Sequence, residues 1–99
     1  MPMRVIVEQI VDEQVFKIAL HISQWQPRAA LRFVQSFEEH CEDLKTLPRT
    51  GSPQNQRFAS NCEIRRLPIR GFTDYGIFYE VTDDHVVVFA VLHGASLCH

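Results

Sequence analysis

Two runs of helically spaced apolar residues stand only a few positions apart, with Pro27 between them. The first is Val11, Val15, Ile18, Ala19 and Ile22. The second is Ala30, Leu31, Val34, Phe37, Cys41 and Leu44, widened by Phe33. Apolar residues recurring every three to four positions give a helix one face that has to be buried. Asp12 near the start of the first run favours the N-terminal end of the helix dipole. Pro27 suits the first turn of the second helix, where a backbone N–H would have no intrahelical acceptor. A residue before proline is pushed out of the α region, so the second helix is expected to stop at Leu47-Pro48. With so short a connection, the two helices must pack as an antiparallel hairpin.

A hairpin with one apolar side needs a surface to cover, and the remaining periodic segments read as strands. Met3–Gln9 is short and β-branched, and precedes the helices. Cys62–Ile69 follows them; its alternation slips at Arg65-Arg66, where a bulge is expected. Tyr75–Val81 sets Tyr75, Ile77, Tyr79 and Val81 on one face and Phe78 and Glu80 on the other. Val86–Leu92 is apolar on both faces, as a strand inside a sheet would be. Asp83-Asp84 makes a tight connection between the last two strands. The order β-α-α-β-β-β predicts an α+β domain, a helical hairpin packed on a mainly antiparallel four-stranded sheet. The fourteen residues from Pro48 to Asn61 are polar and rich in turn formers, and read as a long loop of the kind that often binds partners.

Ninety-nine residues suffice for one small domain, taken as 1–99. With 45% hydrophobic and 22% charged residues the composition is globular. Ten Lys and Arg stand against twelve Asp and Glu, a deficit that argues against a free-standing nucleic-acid binder. No apolar run is long enough to span a bilayer, and Glu8 and Gln9 interrupt Val5-Ile6-Val7 before it could form a secretory core. Three widely spaced cysteines, Cys41, Cys62 and Cys98, suit reduced thiols, so a cytoplasmic setting is expected.

Residues that could carry chemistry are few. The histidines His21, His40, His85, His93 and His99 show no metal-ligand spacing, and neither metal nor cofactor is expected. Glu38, Glu39, Glu42 and Asp43 read as a solvated helix face, or as a contact for a basic segment. Arg65, Arg66 and Arg70 form the one concentration of positive charge, either a protected edge strand or a functional patch. His93, at the end of the last strand and followed by Gly94-Ala95, is placed to act as a general acid or base, or to cap the backbone.

Three of these strand segments carry a family likeness. Ile64-Arg65-Arg66-Leu67-Pro68-Ile69, Tyr75-Gly76-Ile77-Phe78-Tyr79-Glu80-Val81 and Val91-Leu92-His93-Gly94-Ala95 resemble the C-terminal half of the ParE branch of the RelE/ParE toxin superfamily. Pro27-Arg28-Ala29-Ala30-Leu31-Arg32-Phe33 and Leu47-Pro48-Arg49-Thr50-Gly51 resemble that branch's second helix and the turn after it.

The resemblance implies the toxin of a type II toxin–antitoxin pair, of the kind that stabilises plasmids, held inactive by a cognate antitoxin. It implies DNA gyrase as target for a ParE-like member and ribosome-bound mRNA for a RelE-like one. A RelE-like nuclease would use His93 with Arg65, Arg66 and Arg70; a ParE-like toxin would use the same residues to bind its target or antitoxin. Ala90 and Ser96 stand where such sequences usually carry arginine. Removing two cations that would stabilise a crowded phosphate argues against RNA cleavage. The same two positions bear on potency against gyrase, and a non-toxic antitoxin-binding module is the third reading.

Overall fold

The computed structural model describes residues 2–54 and 62–94. Strand β1 (Arg4–Val7) leads into helices α1 (Gln9–Ser23) and α2 (Pro27–Asp43). Strands β2 (Ser52–Pro53), β3 (Glu63–Ile69), β4 (Phe72–Val81) and β5 (His85–His93) follow. They form one sheet in the order β1-β5-β4-β3-β2. All neighbours are antiparallel except β1 and β5, which run parallel. No helix among the described residues is long and apolar enough to cross a membrane.

The expected architecture holds with five strands instead of four. The extra one is β2, two residues inside the segment expected to be loop, pairing Ser52 with Arg66 and Pro53 with Arg65. So short an edge strand has no periodicity to read. Residues 55–61 of the expected loop lie outside the described residues, as do Ser96, Cys98 and His99.

The core lies between the hairpin and one sheet face. Val11 and Val15 of α1 and Phe33 and Phe37 of α2 pack on Ile77, Tyr79, Val86, Val88 and Val91. The predicted faces of β4 are borne out: Tyr79 is in this cluster, while Phe78 pairs with Arg66 and Ala90 on the reverse face. Leu31, expected in the buried stripe, is 66% exposed, and Ala29 is buried in its place. The hairpin meets the sheet along a slightly rotated stripe, which puts the smaller side chain inside. The helix also ends earlier than Leu47-Pro48, at Asp43, whose carbonyl accepts from Leu47 N–H at 2.9 Å.

The bulge expected at Arg65-Arg66 is absent there; both residues pair regularly, with Tyr79 and Phe78. The irregularities fall between Pro68 and Ile69 in the β3–β4 pairing and between Phe78 and Tyr79 in the β4–β5 pairing. In the second, Phe78 pairs with Ala90 but Tyr79 with Val88, so the register steps past one residue of β5. The extra residue shifts the alternation of β5, so that Val88 and Val91 both face the helices. Near this shift the N–H of Val91 donates to Gln14 Oε1 of α1 at 2.9 Å. Polar side chains of this kind satisfy backbone groups that a disturbed ladder leaves over.

Candidate functional site

The four residues singled out by sequence lie in four separate places. Arg65 is on the helix-packed face of β3, opposite Tyr79. Its Nη1 donates to Gly51 O at 2.6 Å and Arg49 O at 3.2 Å, and its Nε to Glu63 Oε2 at 2.8 Å. Arg49 Nη2 donates to the other oxygen of Glu63 at 3.1 Å. These bonds, first of all the one from Arg65, hold the Glu63 carboxyl below its usual range. Arg65 therefore acts as a clasp, fastening the segment that leaves α2 onto the sheet.

Arg66 points the other way. It pairs with Phe78 on the reverse face, where its guanidinium carbon stands 5.9 Å from the centre of the Phe78 ring. Its chain passes over Gly76, and Nη2 donates to Gly94 O at 3.0 Å, at the end of β5. A Cβ at position 76 would collide with Arg66 Nε and come within 2.7 Å of its Cζ. Nε itself is buried without a hydrogen-bond partner among the described residues. Ala90, where the resemblance leads one to look for arginine, is buried opposite Phe78 in the same cross-strand row.

Arg70 belongs to a third place, the β3–β4 turn beside α2. Its backbone N–H donates to His40 Nε2 at 3.0 Å, and its Nη1 meets Glu39 at 3.2 Å. His40 is a buried residue that sequence reading passed over. As an acceptor at Nε2 it must be neutral, and burial followed by the charge of Arg70 lowers its pKa. Its helical neighbours gave no signal of this role, because the donor lies thirty residues away.

His93 faces the helix side at the open end of the sheet, opposite Tyr75. The two rings meet edge to face at 5.1 Å, and Tyr75 in turn meets Phe33 at 5.4 Å. This end of the sheet opens into a cleft of about 380 Å³ shared with Gln14, Lys17 and His21 of α1. The spacing of Lys17 and His21 on one side of a helix is readable in sequence; their meeting with His93 is not. No group of three His, Cys, Asp or Glu suited to a metal ion occurs among the described residues.

What this geometry offers is a set of arginines engaged within the chain and a histidine apart from them. Three cations around one phosphate would require Arg65, Arg66 and Arg70 to converge, and opposite sheet faces separate the first two.

The hairpin-on-sheet architecture is shared with a solved structure described as "Chromosomal ParDE TA system from P. aeruginosa", with a TM-score of 0.75 at 15% identity. The match covers 94% of this chain and 97% of that one, so the small α+β fold is common to both. The sequence model of the family described as "ParE toxin of type II toxin-antitoxin system, parDE" matches residues 5–97, and the chain belongs to that family. No curated protein sequence matches it significantly.

Proposed function

We propose that this member of the ParE toxin family inhibits DNA gyrase by protein–protein contact, without catalysis of its own, and is neutralised by a cognate antitoxin. Membership in the family supports a toxin–antitoxin role. The observation that carries the non-catalytic reading is the engagement of Arg65 with Gly51 and Glu63 on one sheet face and of Arg66 with Gly94 on the other. Cleavage of RNA without a metal needs a base, an acid and cations around the same phosphate. Here Ala90 takes the place of one such cation, and Arg70 is paired with Glu39 while His93 packs against Tyr75.

The deciding experiment sets two assays side by side. Purified chain added to gyrase and relaxed plasmid is expected to reduce supercoiling, with relief by the antitoxin encoded beside it. The same chain added to translating ribosomes is expected to leave mRNA intact. Cleaved mRNA would replace this reading with the RelE-like one and make His93, Arg65, Arg66 and Arg70 its first suspects. Inactivity in both assays alongside tight antitoxin binding would mark a non-toxic binding module.

A further inference from the structure

The charges of the helical hairpin are sorted along its length. Near the end where α1 turns into α2 the exposed charged groups are Lys17, Arg28 and Arg32, with His21 beside them. Toward the other end they are Asp12, Glu13, Glu38, Glu39, Glu42 and Asp43. Neither helix places a Lys or Arg in the acidic half or an Asp or Glu in the basic half. Among these charges lies apolar surface that the core does not use. Phe16, Leu20 and Leu31 are 63%, 51% and 66% exposed and wall a shallow cleft floored by Ala19 and Ala30. Contiguous apolar surface of this kind on a small protein marks an interaction face.

We propose that this face binds a second copy of the chain, related to the first by a two-fold axis across the hairpin. Residues 16–23 of α1 and 27–34 of α2 line the same cleft, and in a hairpin that turns between Ser23 and Pro27 equal steps back along each helix bring Val15 about level with Gln35. Arg28 and Glu42 lie seven positions either side of Gln35, and Arg32 and Glu38 three. Glu13 and Lys17 lie two positions either side of Val15. A two-fold axis at that level therefore brings Arg28 level with Glu42 of the second copy, Arg32 with its Glu38 and Lys17 with its Glu13. Each pairing occurs twice, because the interface is isologous. Stacking the hairpins in the opposite sense would oppose like charges. Phe16, one position from the axis, supplies apolar contact at its centre.

Within the chain Glu42 also meets Lys45 at 2.9 Å and Glu39 meets Arg70 at 3.2 Å. Both are exposed pairs of small energetic value and leave that end acidic.

Sedimentation velocity of the purified full chain tests the proposal. A concentration-dependent dimer is expected at low ionic strength, weakened by added salt. The double variants Arg28→Glu/Arg32→Glu and Glu38→Lys/Glu42→Lys alter exposed positions only, so native circular dichroism is expected from both. Each alone should raise the dimer dissociation constant by about tenfold or more. Mixed in equal amounts, the two should pair one to one, since positions 28, 32, 38 and 42 are then all acidic on one copy and all basic on the other. A wild-type chain that stays monomeric at low salt overturns the proposal, even if an antitoxin occupies this face instead. So does a dimer that ignores both variants, or a mixture that fails to pair.

Discussion

The hydroxyl of Tyr79 accepts a 2.9 Å hydrogen bond from the backbone N–H of Gly51, joining the middle of β4 to the segment that leaves α2. Tyr79 is fully buried, and burial raises its pKa, so the hydroxyl stays neutral. Position 51 has no room for a side chain: a Cβ would stand 2.7 Å from the Tyr79 hydroxyl and 2.8 Å from the carbonyl oxygen of Arg66. Around this contact the clasp of Arg65 closes on Gly51 O and Arg49 O. Tyr79→Phe leaves the N–H of Gly51 buried without an acceptor and is expected to cost about 1–3 kcal/mol. Gly51→Ala meets rigid backbone and should cost a similar amount, about 1–3 kcal/mol. Urea denaturation of the two variants checks both figures; a Tyr79→Phe variant as stable as wild type would show the bond to be immaterial.

Gly76 and Arg66 are expected to be coupled. Gly76→Ala in the wild-type background displaces the guanidinium from Gly94 O and should destabilise the fold. In an Arg66→Ala background the same change meets open space and should cost little. A double-mutant cycle is expected to give a coupling of about 0.5–3 kcal/mol, the range found for residues in contact. Strict additivity would mean that Arg66 does not lie over Gly76 in solution.

His40 gives stability a dependence on pH. Its folded pKa is lowered from 6.5, by burial first and then by Arg70, against smaller opposing effects of Asp43 and Glu39. The unfolded chain therefore binds the proton more readily. The contribution of the neutral imidazole is complete above pH 6.5 and is lost as pH falls through the lower folded value. His40→Ala is expected to be less stable than wild type at pH 7.5, with the gap narrowing toward pH 5, where wild type loses the Arg70 N–H acceptor as well. Thermal melts of the two proteins across this range measure the gap; a constant difference would contradict the assignment.

Cys41 is expected to be a slow nucleophile. Burial, reinforced by Asp12 and Glu38, pushes its thiol up to about 12, so almost none is thiolate near neutral pH. In a chain carrying Cys62→Ser and Cys98→Ser, alkylation of Cys41 at pH 8 should accelerate sharply on adding denaturant. Rapid modification of the folded protein would show that the site opens without unfolding.

The helical hairpin could be read from spacing because its signals are local. Val11 to Ile22 and Ala30 to Leu44 repeat at helical intervals, and Pro27 marks the start of the second helix within one turn of its neighbours. The alternation of β4 was legible for the same reason, and so was the Asp83-Asp84 connection, where Thr82 Oγ1 accepts from His85 N–H at 3.2 Å and donates to its carbonyl at 2.8 Å. Leu31 misled because a helix with a broad apolar stripe does not reveal which edge of the stripe meets the sheet.

The arginines show the other limit. Their closeness in sequence fits a protected edge strand or a functional patch, and only the bulge expected at Arg65-Arg66 would turn these two the same way; regular pairing there sends them to opposite faces. Only the β4 register shows that one reaches Gly51 and the other Gly94, and only the packing of α2 against the β3–β4 turn makes His40 an acceptor for Arg70.

Composition and periodicity thus established a small α+β chain with a hairpin over a meander, since secondary structure follows from patterns a few residues long. The fifth strand, the site of the bulge and the partners of every candidate residue were decided by tertiary structure. Those depend on contacts between segments tens of residues apart, such as Gln14 with Val91 and Gly51 with Tyr79, which no local pattern encodes.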